Sequence, residues 1–168
     1  MTKQEALNKI KELEQYVNEM DNKVRFEDDE IFLLSIEEYE KYKDRIPHVV
    51  CWWWLRSPGY HNGYAANVYY GGSVRHSGDL ISIASGCVRP ALRIPNLSSY
   101  THCPAGSYYQ KYRIGDRIVK YDFPWIIIDE DLVIAEVPIA FHRFDAKSND
   151  YATSEVRQLL KDWKEERS

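Results

Sequence analysis

At 168 residues the chain has the length of one globular domain with a short appendage. Its 22 basic and 26 acidic side chains give a formal charge of −4, which argues against a molecule that binds nucleic acid over its whole surface. Aromatic residues make up 14% of the chain, and rings at that density fill a sizeable core.

Charge is distributed unevenly along the chain. Residues 1–50 carry 8 basic and 13 acidic side chains (net −5), residues 51–113 carry 6 and 1 (net +5), and residues 114–168 carry 8 and 12 (net −4). The cations of the middle segment are Arg56, Arg75, Arg89, Arg93, Lys111 and Arg113, and its carboxylate is Asp79. This segment therefore has the charge that an anionic partner requires.

An N-terminal helix is predicted over residues 1–22. Thr2 and Glu5 form a capping box, in which hydroxyl and carboxylate satisfy each other's backbone donors. Apolar residues then recur at spacings of four and three, as in a coiled-coil seam: Ala6, Ile10, Leu13, Val17 and Met20. The seam packs either on its own domain or against a second copy, which would make a homodimer.

A strand and a second helix follow. The apolar run 31–34 predicts a short strand, and Ser35 with Glu38 forms another capping box. The helix that it opens is expected to reach about Arg45, because Pro47 ends it. One side of that helix carries Ile36, Tyr39 and Ile46.

Three consecutive tryptophans mark the next strand. In a strand Trp52 and Trp54 share one face and Trp53 takes the other, so both faces need cover and the strand should lie inside the domain. Ser57-Pro58-Gly59 predicts a turn directly after it.

Short strands with glycine turns continue to residue 94. Residues 65–70 alternate and end at Gly71-Gly72, which predicts a two-residue hairpin. Ser77-Gly78 and Ser85-Gly86 divide the following runs, and a last strand is expected over 88–94 with Pro90 at an edge or bulge. Together these runs predict an antiparallel meander.

The remainder of the chain predicts a loop, a hairpin and a helix. Residues 95–111 have the composition of an irregular loop. Strands at 123–128 and 132–137 flank Asp129-Glu130-Asp131, which is typical of a solvated hairpin tip rather than a cation site. From about Thr153 a helix is predicted, with Val156, Leu159, Leu160 and Trp163 on its apolar side.

The polar residues predict neither a metal nor a cofactor. Cys51, Cys87 and Cys103 are too few for a closed disulfide framework, and with no signal peptide or apolar span they predict a cytoplasmic protein with reduced thiols. The soft ligand pairs His48/Cys51 and His102/Cys103 lie too far apart for a zinc site. No nucleophile elbow, phosphate loop or metalloprotease motif occurs, so no catalytic residue is assigned and an enzyme is not expected.

The middle segment has the composition of a recognition surface, since tyrosine and arginine are enriched at interfaces. The residues expected to bind a partner are Tyr60, Tyr64, Arg75, Tyr100, Tyr108, Tyr109 and Arg113. Those expected in the core or in internal ion pairs are Trp52, Trp53, Trp54, Arg56, Asp79, Arg89 and Trp125. Arg56 and Arg89 either bind backbone carbonyls or Asp79 inside the fold, or bind an anion.

The motifs W-W-L-R-S-P-G (53–59), A-A-x-V (65–68) and G-x-V-R-P-A-L (86–92) resemble an uncharacterised domain family of Gram-positive bacteria and their phages. Cys87 is inserted where that family more often has glycine directly before valine. The resemblance implies an α+β fold of twisted antiparallel sheets with flanking helices, related to C-type-lectin-like and formylglycine-generating-enzyme-like domains. The calcium motifs of sugar-binding lectins are absent from the sequence.

Residues 112–168 resemble the beginning of the same family, although here they follow the tryptophan motif. The order is that of a circular permutation within a single domain, in which 31–94 is the signature half and 95–111 is the joining linker. The alternative is a domain swap, in which the two halves pair between chains.

These observations favour a non-enzymatic recognition domain that binds another protein. The resemblance adds the expectation of a phage-encoded inhibitor of a host defence enzyme, similar to anti-CRISPR proteins. The alternative function is the binding of nucleic acid or another anionic ligand by the Arg/Tyr-rich surface of 51–113.

Overall fold

The computed structural model describes residues 2–12, 30–97, 101–102 and 110–168. Helix α1 is described over residues 3–12; the other helices are α2 (Ile36–Tyr42), continued by a 3₁₀ turn over Lys43–Arg45, and α3 (Glu155–Glu166). A second 3₁₀ turn covers Tyr151–Thr153. The strands are β1 (Glu30–Phe32), β2 (Trp53–Pro58), β3 (Tyr64–Val68), β4 (Val74–Leu80), β5 (Cys87–Val88), β6 (Ala91–Arg93), β7 (Thr101–His102), β8 (Gln110–Lys111), β9 (Arg117–Lys120), β10 (Phe123–Asp129), β11 (Leu132–Ala135) and β12 (Ala140–Phe141).

The strands form two five-stranded sheets and a small ladder within the described ranges. The first sheet has the order β1-β6-β11-β10-β9 and is antiparallel throughout. The second has the order β12-β5-β2-β3-β4, in which the β2–β5 pair is parallel. The fold is therefore mixed α+β with mainly antiparallel sheets, as the sequence predicts.

Both predicted capping boxes are present. The Glu5 amide donates to Thr2 Oγ1 and the Thr2 amide donates to Glu5 Oε2, each over 3.1 Å. Ser35 and Glu38 make the same reciprocal pair at the start of α2. These caps satisfy donors that have no partner within a helix.

The predicted seam of α1 is described only in part. Ala6 is half-buried and Ile10 is 51% exposed. Leu13, Val17 and Met20 lie outside the described residues. Packing on the same chain and homodimerisation therefore both remain predictions.

Strand β2 lies between two clusters of buried side chains. Trp53 packs with Tyr39 and the strands of the first sheet on one face. Trp52 and Trp54 pack with Phe144 and with α3 on the other face. The opposite face of the first sheet is covered by Trp163 of α3, against Trp125. A strand covered on both faces is the arrangement that the triple tryptophan predicts.

The prediction of one strand over 88–94 is wrong. The chain pairs with the second sheet at Cys87–Val88 and then with the first sheet at Ala91–Arg93. Arg89 and Pro90 make the crossing between sheets, and Pro90 has no amide hydrogen to contribute to either ladder. The meander is antiparallel only from β2 to β4.

Three turns also differ from their predicted form. Ser57 and Pro58 belong to β2, and the register shift that precedes Pro58 accommodates its missing donor. The hairpin between β3 and β4 has a loop over 69–73 instead of two residues, closed by the Tyr69 amide on the Ser73 carbonyl at 2.8 Å. Ser77-Gly78 lies within β4, at a bulge.

The two halves of the chain contribute to the same sheets. Strand β6 of the first half pairs with β11 of the second, and β5 pairs with β12. Between the halves, the predicted irregular loop contains the antiparallel pair β7–β8 in its described part. Strands from both halves thus share their hydrogen bonds within one chain.

The expectation of reduced thiols is wrong for two of the three cysteines. Cys51 and Cys87 form a disulfide whose Cα atoms are 6.5 Å apart. The parallel β2–β5 pairing brings them together, because Trp53 is the register partner of Cys87. The sequence separation of 36 residues hides this proximity.

No helix in the described part of the chain combines the length and the apolar composition that crossing a membrane would require.

Gly78 in β4 is predicted to be essential for the β3–β4 pairing. Its φ is +80°, and a methyl group there would meet the backbone carbonyl of Ala65. We expect Gly78→Ala to lower the free energy of unfolding by about 2–4 kcal/mol, through the left-handed backbone and the forced strand shift. Gly71→Ala is the matched control, since its added methyl meets nothing within 4 Å. Urea denaturation of both variants measures the difference, and equal stabilities would contradict the assignment.

Candidate recognition surface

The predicted partner-binding residues occupy different parts of the fold. Tyr60 is exposed before β3, and Tyr64 is half-buried at its start. Arg75 lies near the start of β4, opposite Asn67. Arg113 is exposed and precedes β9, the edge strand of the other sheet. Tyr100, Tyr108 and Tyr109 lie outside the described residues, so their placement stays a prediction.

The loop of the β3–β4 hairpin exposes an aromatic pair. Tyr69 and Tyr70 are 44% and 53% exposed, and their rings meet edge to face with centroids 4.9 Å apart. The guanidinium carbon of Arg75 lies 5.3 Å from the centre of the Tyr69 ring. Val50, 97% exposed, follows Val49, which lines the same small cavity as the two tyrosines. We call Val50, Tyr69, Tyr70 and Arg75 the hairpin surface.

The hairpin loop is held by hydrogen bonds within the loop and by one from helix α2. The Gly72 amide donates to the Tyr69 carbonyl at 2.9 Å, and the Tyr39 hydroxyl of α2 donates to the Gly72 carbonyl at 2.6 Å. Gly72 has a φ of +87°, which glycine adopts without strain. The exposed rings therefore stand on a supported turn, and less entropy is lost when a partner orders them.

Asp79 does not bind Arg56 or Arg89, contrary to one of the two predicted arrangements. Its carboxylate accepts from Asn67 Nδ2 at 2.6 Å and from Arg75 Nη1 at 3.2 Å. Asn67 is fully buried, so this bond fixes Asp79, and Asp79 in turn holds Arg75 beside Tyr69. The carboxylate organises the hairpin surface.

Arg56 is held by a backbone carbonyl and a carboxylate. Its Nη1 donates to the Leu33 carbonyl at 2.8 Å and also forms an ion pair with Glu38. Burial raises the pKa of the Glu38 carboxyl, but the Ser35 amide and Arg56 outweigh it and leave that pKa below its ordinary value. Arg56 thus joins β2 to the start of α2.

Arg89 is fully buried and no carboxylate binds it among the described residues. Its Nε donates to the Ala135 carbonyl at 2.7 Å and its Nη1 to the Pro47 carbonyl at 2.8 Å. The guanidinium carbon lies 5.3 Å from the centre of the Trp53 ring. Nη2 has no hydrogen-bond partner in the described part of the chain. Burial lowers the pKa of this guanidinium from its ordinary value to about 10, so the group stays charged near neutral pH.

Most cations of the middle segment are bound by partners within the chain. Arg56 pairs with Glu38, and Arg75 pairs with Asp79. Arg93 lies 3.3 Å from Asp131. With Arg89 buried, four of the six basic side chains of 51–113 are committed to internal partners. The net charge of +5 in sequence therefore does not appear as an equally positive surface.

A family model described as a domain of unknown function (DUF6273) matches residues 3–96, more than half of the chain. The chain belongs to the DUF6273 family. No curated protein and no solved structure matches the chain significantly. The DUF6273 match includes the hairpin surface and Arg89, whereas residues 97–168 lie outside it.

Beyond the DUF6273 match, the buried Asp145 carboxylate has a structural role. Asp145 accepts hydrogen bonds from the amides of Lys147, Ser148 and Glu155. Burial raises the pKa of the Asp145 carboxyl, but these amides bring it below its ordinary value. The carboxylate thus caps the chain ahead of α3. In the ranges that the structure describes, no cluster of three or more His, Cys, Asp or Glu side chains is placed to hold a metal ion.

Tyr69 and Tyr70 are not among the predicted partner-binding residues, although both belong to the tyrosine-rich middle segment that predicts a recognition surface. They alternate regularly with the strand residues before them, a pattern that predicts positions within the strand. The available signal was the sequence Tyr-Tyr-Gly-Gly, which places the tyrosines at the point where a hairpin turns. Val50 gave no signal, because two consecutive valines beside a tryptophan strand have the composition of core.

Proposed function

We propose that this DUF6273 domain is a non-enzymatic recognition domain that binds another protein through the hairpin surface. The exposed Tyr69–Tyr70 pair, with Arg75 stacked on Tyr69, carries this proposal. Tyrosine and arginine are the residue types that dominate binding energy in protein interfaces. Because hydrogen bonds to the Tyr69 and Gly72 carbonyls hold the turn that carries these side chains, a partner can bind with little rearrangement.

A protein partner is favoured over a nucleic acid by the internal pairing of the cations. Binding to a phosphate backbone rests on several basic side chains that release counterions. Arg75 in the hairpin surface already has Asp79 as its counter-charge, at 3.2 Å. The hairpin surface is apolar and aromatic, and the charge of Arg75 is balanced by Asp79. It therefore complements a partner protein whose contacting residues are also apolar.

The finer identity of the partner rests on resemblance alone. We propose inhibition of a host defence enzyme by a phage-encoded protein in the bacterial cytoplasm, in the manner of anti-CRISPR proteins. A C-type-lectin-like relationship is proposed on the same resemblance. Folds of that kind are mixed α+β domains with twisted antiparallel sheets and long loops, and the hairpin surface is carried by a loop next to β4, an edge strand.

Circular permutation is likewise proposed for the order of the halves. Its support is that β6 and β11, which come from different halves, are neighbours in the first sheet. Domain swapping would preserve the same pairing between two chains. A monomeric molar mass in solution would exclude the swap, because a swapped pair requires a dimer. A dimeric mass would not establish it, since the α1 seam is a second predicted route to a dimer.

The double substitution Tyr69→Ala/Tyr70→Ala is expected to abolish partner capture. Loss of two central tyrosines removes on the order of 2 kcal/mol or more of binding free energy, which corresponds to about 30-fold weaker binding. Immobilised domain is incubated with bacterial host lysate treated with nuclease, and the captured proteins are identified by mass spectrometry. Stability of the variant is expected to be nearly unchanged, because both rings are exposed.

Phe141→Ala is the matched control for capture. Phe141 is 69% exposed on β12, the opposite edge strand of the same sheet, so its loss should leave binding unchanged. Capture that survives the tyrosine substitutions would contradict the hairpin surface as the binding site. Capture that disappears with nuclease, or weakens steeply with added salt, would favour the nucleic-acid alternative.

A further inference from the structure

The buried guanidinium of Arg89 is a positive charge that no carboxylate binds among the residues that the structure describes. It is 0% exposed, and its two hydrogen bonds go to neutral carbonyls. Glu136 and the Tyr39 hydroxyl act on it only through space. A buried ion is strongly unfavourable unless it is paired and its hydrogen-bonding groups are satisfied. Within the described ranges, Nη2 therefore has no acceptor and the guanidinium has no directly bound anion.

A small cavity adjoins this guanidinium. Its volume is about 10 Å³, and its walls include Tyr39, His48, Trp53, Tyr69, Gly72 and Arg89. Nε and Nη1 of Arg89 donate to the Ala135 and Pro47 carbonyls. Nη2 is therefore the nitrogen that is available to donate to an occupant of the cavity. The exposed side chains of His48 and Tyr69 form part of the wall and connect the cavity to solvent.

The size of the cavity selects among anions. A volume of this order accommodates about one water molecule or one atom of similar size. Sulfate, phosphate and a peptide carboxylate need several times that space. The space therefore favours a monatomic anion.

We propose that the cavity beside Arg89 is a halide site, in which one chloride ion accepts a hydrogen bond from Nη2 and neutralises the buried charge. The site is independent of the proposed protein recognition, although its walls support the hairpin surface. Chloride binding would stabilise the fold and fix the turn that carries Tyr69 and Tyr70.

Thermal unfolding of the full chain tests the site. Sodium chloride replaces sodium gluconate at constant ionic strength, so that nonspecific screening stays the same. We expect Tm to rise along a saturating curve, by about 3 °C when chloride reaches ten times its Kd. Bromide should act like chloride, and sulfate, which is too large, should match gluconate at the same ionic strength.

Two further measurements locate the effect. Crystals grown in bromide should show an anomalous peak in this cavity, within hydrogen-bond distance of Nη2. Arg89→Lys, which removes Nη2 and keeps the charge, should lose the chloride response, whereas Arg75→Lys on the exposed surface should keep it. If Arg89→Lys does not fold, the bromide map of the unmodified chain decides alone.

Equal Tm values in chloride and gluconate, together with no bromide peak, would overturn the proposal and leave a single water molecule as the occupant. A chloride response that persists in Arg89→Lys would place the ion elsewhere, and this too would overturn it.

Discussion

Replacing Trp54 by alanine is expected to remove most of the stability of this domain. The side chain is fully buried, and its ring packs edge to face on Trp52 and Phe144. Its Nε1 donates to the His142 carbonyl at 2.9 Å, which joins β2 to the segment after β12. Truncating a buried tryptophan costs about 3–5 kcal/mol, and the orphaned carbonyl adds about 1 kcal/mol. Domains of this size have about 5–15 kcal/mol in total.

The matched variant is Trp54→Phe, which keeps an aromatic ring between Trp52 and Phe144 but removes the indole donor. We expect it to retain the fold and to lose about 1–3 kcal/mol, measured from urea midpoints at unchanged slope. Near-ultraviolet circular dichroism should show the alanine variant without fixed tertiary packing. A cooperative alanine variant of nearly normal stability would mean that the two halves do not share the core built around β2.

Features of the fold that depend on neighbouring residues are predictable from this sequence. The capping box of Ser35 and Glu38 is written within four residues, and both of its hydrogen bonds are formed. The alternation of Trp52, Trp53 and Trp54 determines that both faces of β2 are covered, whatever elements cover them. The hairpin over 123–135 follows from two apolar runs around a charged tip.

Features that depend on distant pairing are not predictable in the same way. The parallel β2–β5 pair requires a partner 34 residues along the chain, as the register Trp53↔Cys87 shows. The residues near Cys87 carry no signal that distinguishes a parallel pairing with β2 from one more antiparallel hairpin of the meander. The crossing at Arg89-Pro90 is a further example, because a single apolar run contributes one strand to each of the two sheets.

The candidate site illustrates why residue composition overstates surface charge. Six cations in 51–113 predict a basic face, yet Arg56 and Arg93 find carboxylates from outside the segment, Glu38 and Asp131. Sequence gives the number of charges but not their partners. Arg89 is a different case, since its sequence context leaves backbone carbonyls, Asp79 and an external anion open as partners. Among the described residues its hydrogen bonds go to two backbone carbonyls, which is one of those alternatives.

Reduction of the Cys51–Cys87 disulfide is expected to lower the free energy of unfolding by about 4 kcal/mol. The estimate follows from the closed loop of 36 residues, whose entropy in the unfolded chain the bond restricts. Urea denaturation with and without dithiothreitol measures the loss. The variant Cys51→Ala/Cys87→Ala should show the lower stability under both conditions, while Cys103→Ala should respond to reductant as the unmodified chain does. Equal stability with and without reductant would contradict the disulfide.

The same bond also anchors the segment that carries part of the hairpin surface. Residues 46–50 run from the end of α2 to Cys51, and His48 and Val49 within them line the Arg89 cavity. Without the disulfide this segment loses its covalent anchor and keeps the Arg89 hydrogen bond to the Pro47 carbonyl and the core packing of Ile46 and Val49. Partner capture should therefore weaken on reduction even at temperatures where the reduced chain stays folded. Undiminished capture by folded, reduced protein would restrict the recognition surface to Tyr69, Tyr70 and Arg75, and would leave Val50 outside it.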